Sequence, residues 1–185
     1  MNPQILQQAQ TIAREILSNV SQDQLELNTP CQNWNVGQLV DHVIGAQHWA
    51  RSAVAGVDMT ETGEGSSNGD FLAAFDDAAA ATLAAFSEEG ALDRTVNPGF
   101  GDMPATALLG MAITDTFTHA WDVAKATGQD TNLAPDMAAQ LLAQSRQSIQ
   151  PAFRSEEGSI FGLEQEAPED ASNADKLAAF LGRTV

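Results

Sequence analysis

The 185 residues, 43% of them apolar, suit one globular domain (1–185) with a sizeable core rather than a disordered chain or a two-domain enzyme. Eight Lys plus Arg stand against 25 Asp plus Glu, a formal net charge of −17, so the surface carries a negative potential that argues against nucleic acid and anionic membrane as partners. A single cysteine, Cys31, excludes an internal disulfide and a Cys-rich zinc site; with no signal-peptide pattern after Met1 and no apolar run near the roughly 18–20 residues a bilayer needs, a cytoplasmic protein is expected.

Ile5, Ala9, Ile12, Ala13, Ile16, Leu17 and Val20 recur at three- and four-residue intervals between polar residues, which predicts a core-facing amphipathic helix over about 3–19. After a turn-rich segment from Thr29 to Trp34, Asn35 and Gln38 form a capping-box pattern that opens a second helix, about 36–55. Residues 56–70 are rich in Gly, Ser, Thr and Glu without periodicity and read as a mobile surface loop before a third helix over about 71–86. Gly90, Asn97-Pro98-Gly99 and Gly101 mark 87–103 as a structured turn region. Pro104 suits a first helical position and Gly128 a helix end, giving a fourth helix over about 104–127. Pro135 opens a fifth, about 135–150, and a short helix over about 175–182 closes the chain after an irregular 151–174.

Strand alternation is nearly absent and the chain has no Tyr. The pattern predicts an all-α protein, an up-down four-helix bundle with an additional C-terminal helix and tail.

Helical phase separates the three histidines. At about 100° per residue, His42 falls within roughly 60° of Leu39, Ala46, Trp49 and Ala53 and points inward, whereas His48 is carried towards the polar side near Arg51 as a surface residue. On the fourth helix Asp115 and His119, four residues apart, share a stripe with Leu108, Met111, Ala112 and Ala126. A carboxylate on a core face needs a cation or a hydrogen-bond partner, and bases are scarce on either helix. Two histidines and one carboxylate on facing helices form an open metal-binding set. The pattern alone leaves two readings: a metal site, or a hydrogen-bonded core histidine beside an ordinary helix pair.

Thr29-Pro30-Cys31-Gln32-Asn33-Trp34-Asn35-Val36-Gly37-Gln38-Leu39-Val40-Asp41-His42-Val43, Asp115-Thr116-Phe117-Thr118-His119-Ala120-Trp121-Asp122-Val123-Ala124-Lys125-Ala126-Thr127-Gly128 and Leu177-Ala178-Ala179-Phe180-Leu181-Gly182-Arg183 resemble the actinobacterial DinB-like metal-binding family, which includes the N-terminal domain of mycothiol-dependent maleylpyruvate isomerase. The resemblance implies a DinB-like bundle holding a divalent metal through His42, Asp115 and His119, with zinc first and nickel or iron as alternatives. It also implies a mycothiol-like thiol as cosubstrate, activated at the metal in a transferase or isomerase acting on a small electrophile. A non-catalytic metal-binding module or sensor, and a metal-free structural bundle, are the alternatives; a homodimer is compatible with any of them.

Two departures from the isomerase stand out. Asp115 replaces a glutamate and is one methylene shorter, and the isomerase has a second, catalytic C-terminal domain where this chain ends shortly after Arg183. The metal site is therefore expected to be kept more readily than the isomerisation.

Asp122 is read either as a carboxylate orienting His119 or as a solvent-facing acid paired with Lys125. Trp34, Trp49 and Trp121 are read as packing the core or the bundle mouth rather than stacking on a substrate, Cys31 as a small packing residue with a reactive thiol as the alternative but no base evident near it, and Arg183 as a lock between tail and acidic body, with a substrate-carboxylate role as its alternative. The substrate entrance is expected near 56–70 and 87–103, with Arg94 or Arg154 as the bases available to an anionic substrate.

Overall fold

Local capping chemistry sets the helix bounds in the computed structural model, which describes residues 1–32, 34–155 and 161–185. Helix α1, Pro3–Ser18, starts where the Asn2 side chain accepts the Ile5 N–H, and α2, Val36–Ala55, starts at the reciprocal Asn35–Gln38 box and stops at Gly56 in the left-handed region (φ 69°). Asp70 caps α3, Phe71–Ser87, and α4 spans Ala105–Thr127 up to the left-handed Gly128. Helices α5, Pro135–Ser148, and α6, Asn173–Phe180, complete the set.

Three boundaries move for physical reasons. Pro104 lies just outside α4, because Met103–Pro104 (β2) pairs antiparallel with Thr95–Val96 (β1). Helix α5 stops at Ser148, short of Pro151, whose ring disfavours helical backbone in the preceding residue. Helix α6 begins at Asn173 because Ser172 accepts the Asp175 N–H. The irregular tail expected over 151–174 falls partly on 156–160, outside the described residues.

The four long helices form the bundle, with α1 and α2 each packed on both α3 and α4. Within it the directions are up-down-down-up rather than strictly alternating. Arg14 pairs with Asp76 at 2.8 Å and Gln10 reaches the Ala79 carbonyl, so α1 and α3 oppose. Gln129, just past α4, donates to the Ile16 carbonyl while Met1 lies against Gly110, so α1 and α4 run together. Helices α2 and α3 also run together, because 56–70 travels back along α2 instead of turning at its end.

That segment is anchored along its path. Asp41 accepts the N–H groups of Gly65 (2.8 Å) and Ser67 (2.7 Å), and Gly63 packs directly on Gly45, where a Cβ on either glycine would overlap the other segment's backbone. The expected mobile loop is therefore a seated crossover that covers one flank of α2.

The core comprises two apolar clusters. One holds Leu6, Val54, Phe86, Leu108, Phe117 and Trp121 with Leu141 and Leu177 of α5 and α6; the other holds Leu17, Leu39, Val43, Phe75 and Val123. Between them lies a buried polar layer with one residue from each bundle helix. Gln10 donates to Gln47 Oε1 (2.9 Å), Gln47 donates to Thr116 Oγ1 (2.8 Å), and Thr82 donates to the Gln47 carbonyl (2.9 Å). A sliding helix would break these bonds inside a low-dielectric core, so the layer fixes the register of all four helices.

Gln47→Ala removes the side-chain partner of Thr116 and one of the two acceptors of Gln10 and opens a void; a loss of about 3 kcal/mol is expected in denaturant unfolding, far above an exposed Gln→Ala control. Asp175 tests the docking of α6. Burial pushes its carboxyl up, but hydrogen bonds from Ser172 and the Trp121 indole (2.8 Å) outweigh this and hold it below its ordinary value. With the folded pKa depressed, its stabilisation is complete above the ordinary carboxylate pKa of about 3.9 and is lost as pH falls below it. Trp121 fluorescence should report an acid transition that Asp175→Asn removes.

Candidate metal centre

Asp115, His119 and Asp122 occupy successive turns of one α4 face, so the His119 ring lies between two carboxylates. Its Nε2 is 3.4 Å from Asp115 Oδ1 and its Nδ1 is 2.9 Å from Asp122 Oδ2. Antiparallel α2 brings His42 across, with Nε2 3.6 Å from the same Asp115 oxygen and ring centroids 4.7 Å from His119, edge to face. Trp34, just before α2, covers His42 at 4.5 Å between centroids. One ligand atom each from His42, Asp115 and His119 lies within 4.8 Å of the others.

Two atoms of this cluster, His42 Nε2 and Asp115 Oδ2, are buried with no hydrogen-bond partner. Buried polar atoms are seldom left unpaired, because the loss of hydration is not recovered. His42 Nε2 and His119 Nε2 both face the Asp115 carboxylate, and two imidazoles plus a carboxylate are donors that suit zinc and similar divalent ions. Although Asp115 is short, it lies between both rings.

Charge pairing dominates the electrostatics. Burial opposes ionisation of Asp115, but His119 and His42 outweigh it and hold the carboxyl well below the usual range. Burial likewise opposes a charged His119, yet Asp115 and the Asp122 hydrogen bond hold its pKa well above the ordinary value.

Asp122 has no solvent exposure, which excludes the solvent-facing reading, and it is hydrogen-bonded to His119 Nδ1. Burial would raise its pKa, but His119 and Arg183 bring it down to about 2. Arg183 grips it with two bonds, Nε to Oδ1 at 3.2 Å and Nη2 to Oδ2 at 3.0 Å, locking the tail to the bundle. Lys125 instead lies over the Trp121 ring at 5.9 Å.

Cys31 departs from the expectation. Its thiol donates to Asp122 Oδ2 at 3.2 Å, with Arg183 Nη2 at 3.6 Å and His119 Nδ1 at 3.9 Å, so bases do surround it. Cys31, His119 and Asp122 form a second group of ligand-type atoms behind the first. The only sequence signal was the cysteine itself.

His48 is covered rather than exposed: its side chain is 13% accessible and pairs with Glu61 of the crossover at 3.3 Å. Trp121 is buried and bonded to Asp175, whereas Trp49 donates to the Pro98 carbonyl (2.9 Å) and stacks on Phe100. A cavity of about 380 Å³ opens at the cluster, lined by His42, Gly45, Ala46, Trp49, Met59, Thr62 and Asp115. The 56–70 segment thus walls the entrance directly, and 87–103 supports it through Trp49. Arg94 and Arg154 are absent from that lining: Arg94 bonds the Val54 carbonyl and Glu88, and Arg154 bonds the Gly162 and Phe180 carbonyls.

Residues 6–124 match the family model described as the mycothiol maleylpyruvate isomerase N-terminal domain, a span that includes His42, Asp115, His119 and Asp122 but not Arg183. Two Mycobacterium tuberculosis proteins, each named only as an uncharacterized protein and from strains CDC 1551 and H37Rv, are 39% identical over 180 residues, covering 97% of this chain and 96% of their own length. No solved structure matches the chain.

Removing the tail's cation tests the buried pair. Arg183→Met takes the guanidinium from the buried Asp122 carboxylate, which keeps only His119 and Cys31, and should cost about 3 kcal/mol in unfolding, with most of that loss recovered in the double variant that adds Asp122→Asn.

Proposed function

Because the chain belongs to the mycothiol maleylpyruvate isomerase N-terminal domain family, we propose that it holds a divalent metal, zinc foremost, through His42, Asp115 and His119 and offers a remaining position to a mycothiol-like thiol, for transfer to or isomerisation of a small electrophile. The observation that carries this reading is that His42 Nε2 and His119 Nε2 both face the Asp115 carboxylate, 3.6 and 3.4 Å from Oδ1, in a cluster where His42 Nε2 and Asp115 Oδ2 are buried without a hydrogen-bond partner. A bound divalent ion lowers the pKa of a coordinated thiol and yields the thiolate nucleophile at neutral pH.

The protein's own residues divide the remaining work. Asp122 accepts the Nδ1 proton of His119 and so directs Nε2 into the site, as outer carboxylates do for metal-binding histidines. Trp34 packs against the His42 ring, and Asp115 supplies the negative charge that would offset part of the ion's. The cavity beside Asp115 leaves space for the electrophile.

The reading takes 1–185 as one domain, since Leu141, Leu177 and Leu181 share an apolar cluster with Leu6 and Leu108. Among the described residues no helix is long and apolar enough to cross a membrane, and the proposal places the protein in the cytoplasm.

Elemental analysis of untagged protein should find near-stoichiometric metal that disappears in His42→Ala and His119→Ala variants whose helicity is retained. The cobalt-substituted protein should change its visible spectrum on adding a low-molecular-weight thiol. Metal without a thiol response would make it a non-catalytic metal-binding module or sensor; stable protein without metal would make it a structural bundle.

A further inference from the structure

The walls of the cavity beside the cluster say what can enter it. Apart from His42 and Asp115, they are Gly45, Ala46, Trp49, Met59 and Thr62, none of which is charged. Met59 is 45% exposed, and Phe100, stacked on Trp49, is 63% exposed, so the apolar surface continues outward from the entrance. Soluble proteins tend to keep clustered apolar surface of this kind where something apolar binds. The volume of about 380 Å³ lies in the small-molecule range.

Charge sharpens the point. None of the two lysines and six arginines lines this cavity. Arg94 and Arg154 are bonded elsewhere, Arg183 lies behind His119 on Asp122, and Arg51 is nine residues after His42, half a turn round α2. The carboxylate in the wall is Asp115, within a chain of net charge −17. A metal-bound thiolate would already use the positive charge that the site can offer. A doubly charged acceptor would then carry carboxylates into the cavity with no partner, at a desolvation cost of several kcal/mol.

We propose that this cavity receives an uncharged, apolar acceptor and rejects dicarboxylates. The proposal rests on the metal-and-thiol reading for the acceptor's chemical role, but the cavity's selectivity comes from its own side chains.

Calorimetric titration with naphthylmethanol, naphthoate and naphthalenedicarboxylate, a series of similar shape with zero, one and two carboxylates, tests it. The titrations are run on chelator-stripped protein and on zinc-loaded protein with mercaptoethanol filling the open position, with metal content measured on each sample. Naphthylmethanol should bind in both, more than about tenfold tighter than the dicarboxylate. Ala46→Trp, which fills the cavity, should abolish that binding, and Met59→Asp, at an exposed position, should weaken it about tenfold without unfolding the chain. Dicarboxylate binding as tight as the alcohol's, no alcohol binding, or binding untouched by both variants would each overturn the proposal. Alcohol binding in protein that takes up no metal would uphold the cavity while removing the metal reading.

Discussion

A carboxylate without solvent exposure, Asp122, is the constraint on which the site and the tail both depend. Burying that charge would be prohibitive without compensation, and three groups provide it: the His119 ring, the Cys31 thiol and the Arg183 guanidinium. All three meet its Oδ2, and Arg183 also reaches Oδ1. The histidine ring is thereby aimed, the turn before α2 is drawn onto α4, and the tail is closed over the end of the bundle. The polar layer through Gln10, Gln47, Thr82 and Thr116 plays the matching role in the interior, where it holds the helices at the register that brings His42 opposite Asp115.

The crossover does for the cavity what Asp122 does for the ring. Since α2 and α3 run in the same direction, 56–70 must return along α2, and it does so over the flank that carries His42, Gly45 and Ala46. Gly45 and Gly63 permit backbone-to-backbone approach, and Asp41 holds the far end. Met59 and Thr62 become cavity walls and Glu61 covers His48. The topology of the fold thus decides the chemistry of the entrance: a simple hairpin between α2 and α3 would leave this flank of α2 open to solvent.

The charge distribution separates surface from site. The acidic surface carries the net charge, while inside, the carboxylates meet specific partners: Asp115 meets two imidazoles, and Asp122 meets one imidazole and one guanidinium. Arg183 is committed to Asp122 and does not line the cavity. The same few bases that make the chain acidic leave the cavity without a cationic side chain.

The sequence by itself determined the all-α class, the bounds of most helices and the sharing of a helical face by Asp115 and His119. These rest on interactions within about four residues, namely caps, helical phase and glycine stops, which a linear pattern records directly. It also placed His42 on the inner face of its helix. Only the tertiary structure decided the direction of the helices and, with it, which polar residues meet. Gln10 and Gln47 are 37 residues apart, Asp122 and Arg183 are 61 apart, and Cys31 and Arg183 are 152 apart, so no local pattern could pair them. Periodicity predicts which face is apolar; which buried polar atoms find partners depends on how the helices cross, and here that crossing brings His42 onto Asp115 while leaving His42 Nε2 and Asp115 Oδ2 without a hydrogen-bond partner.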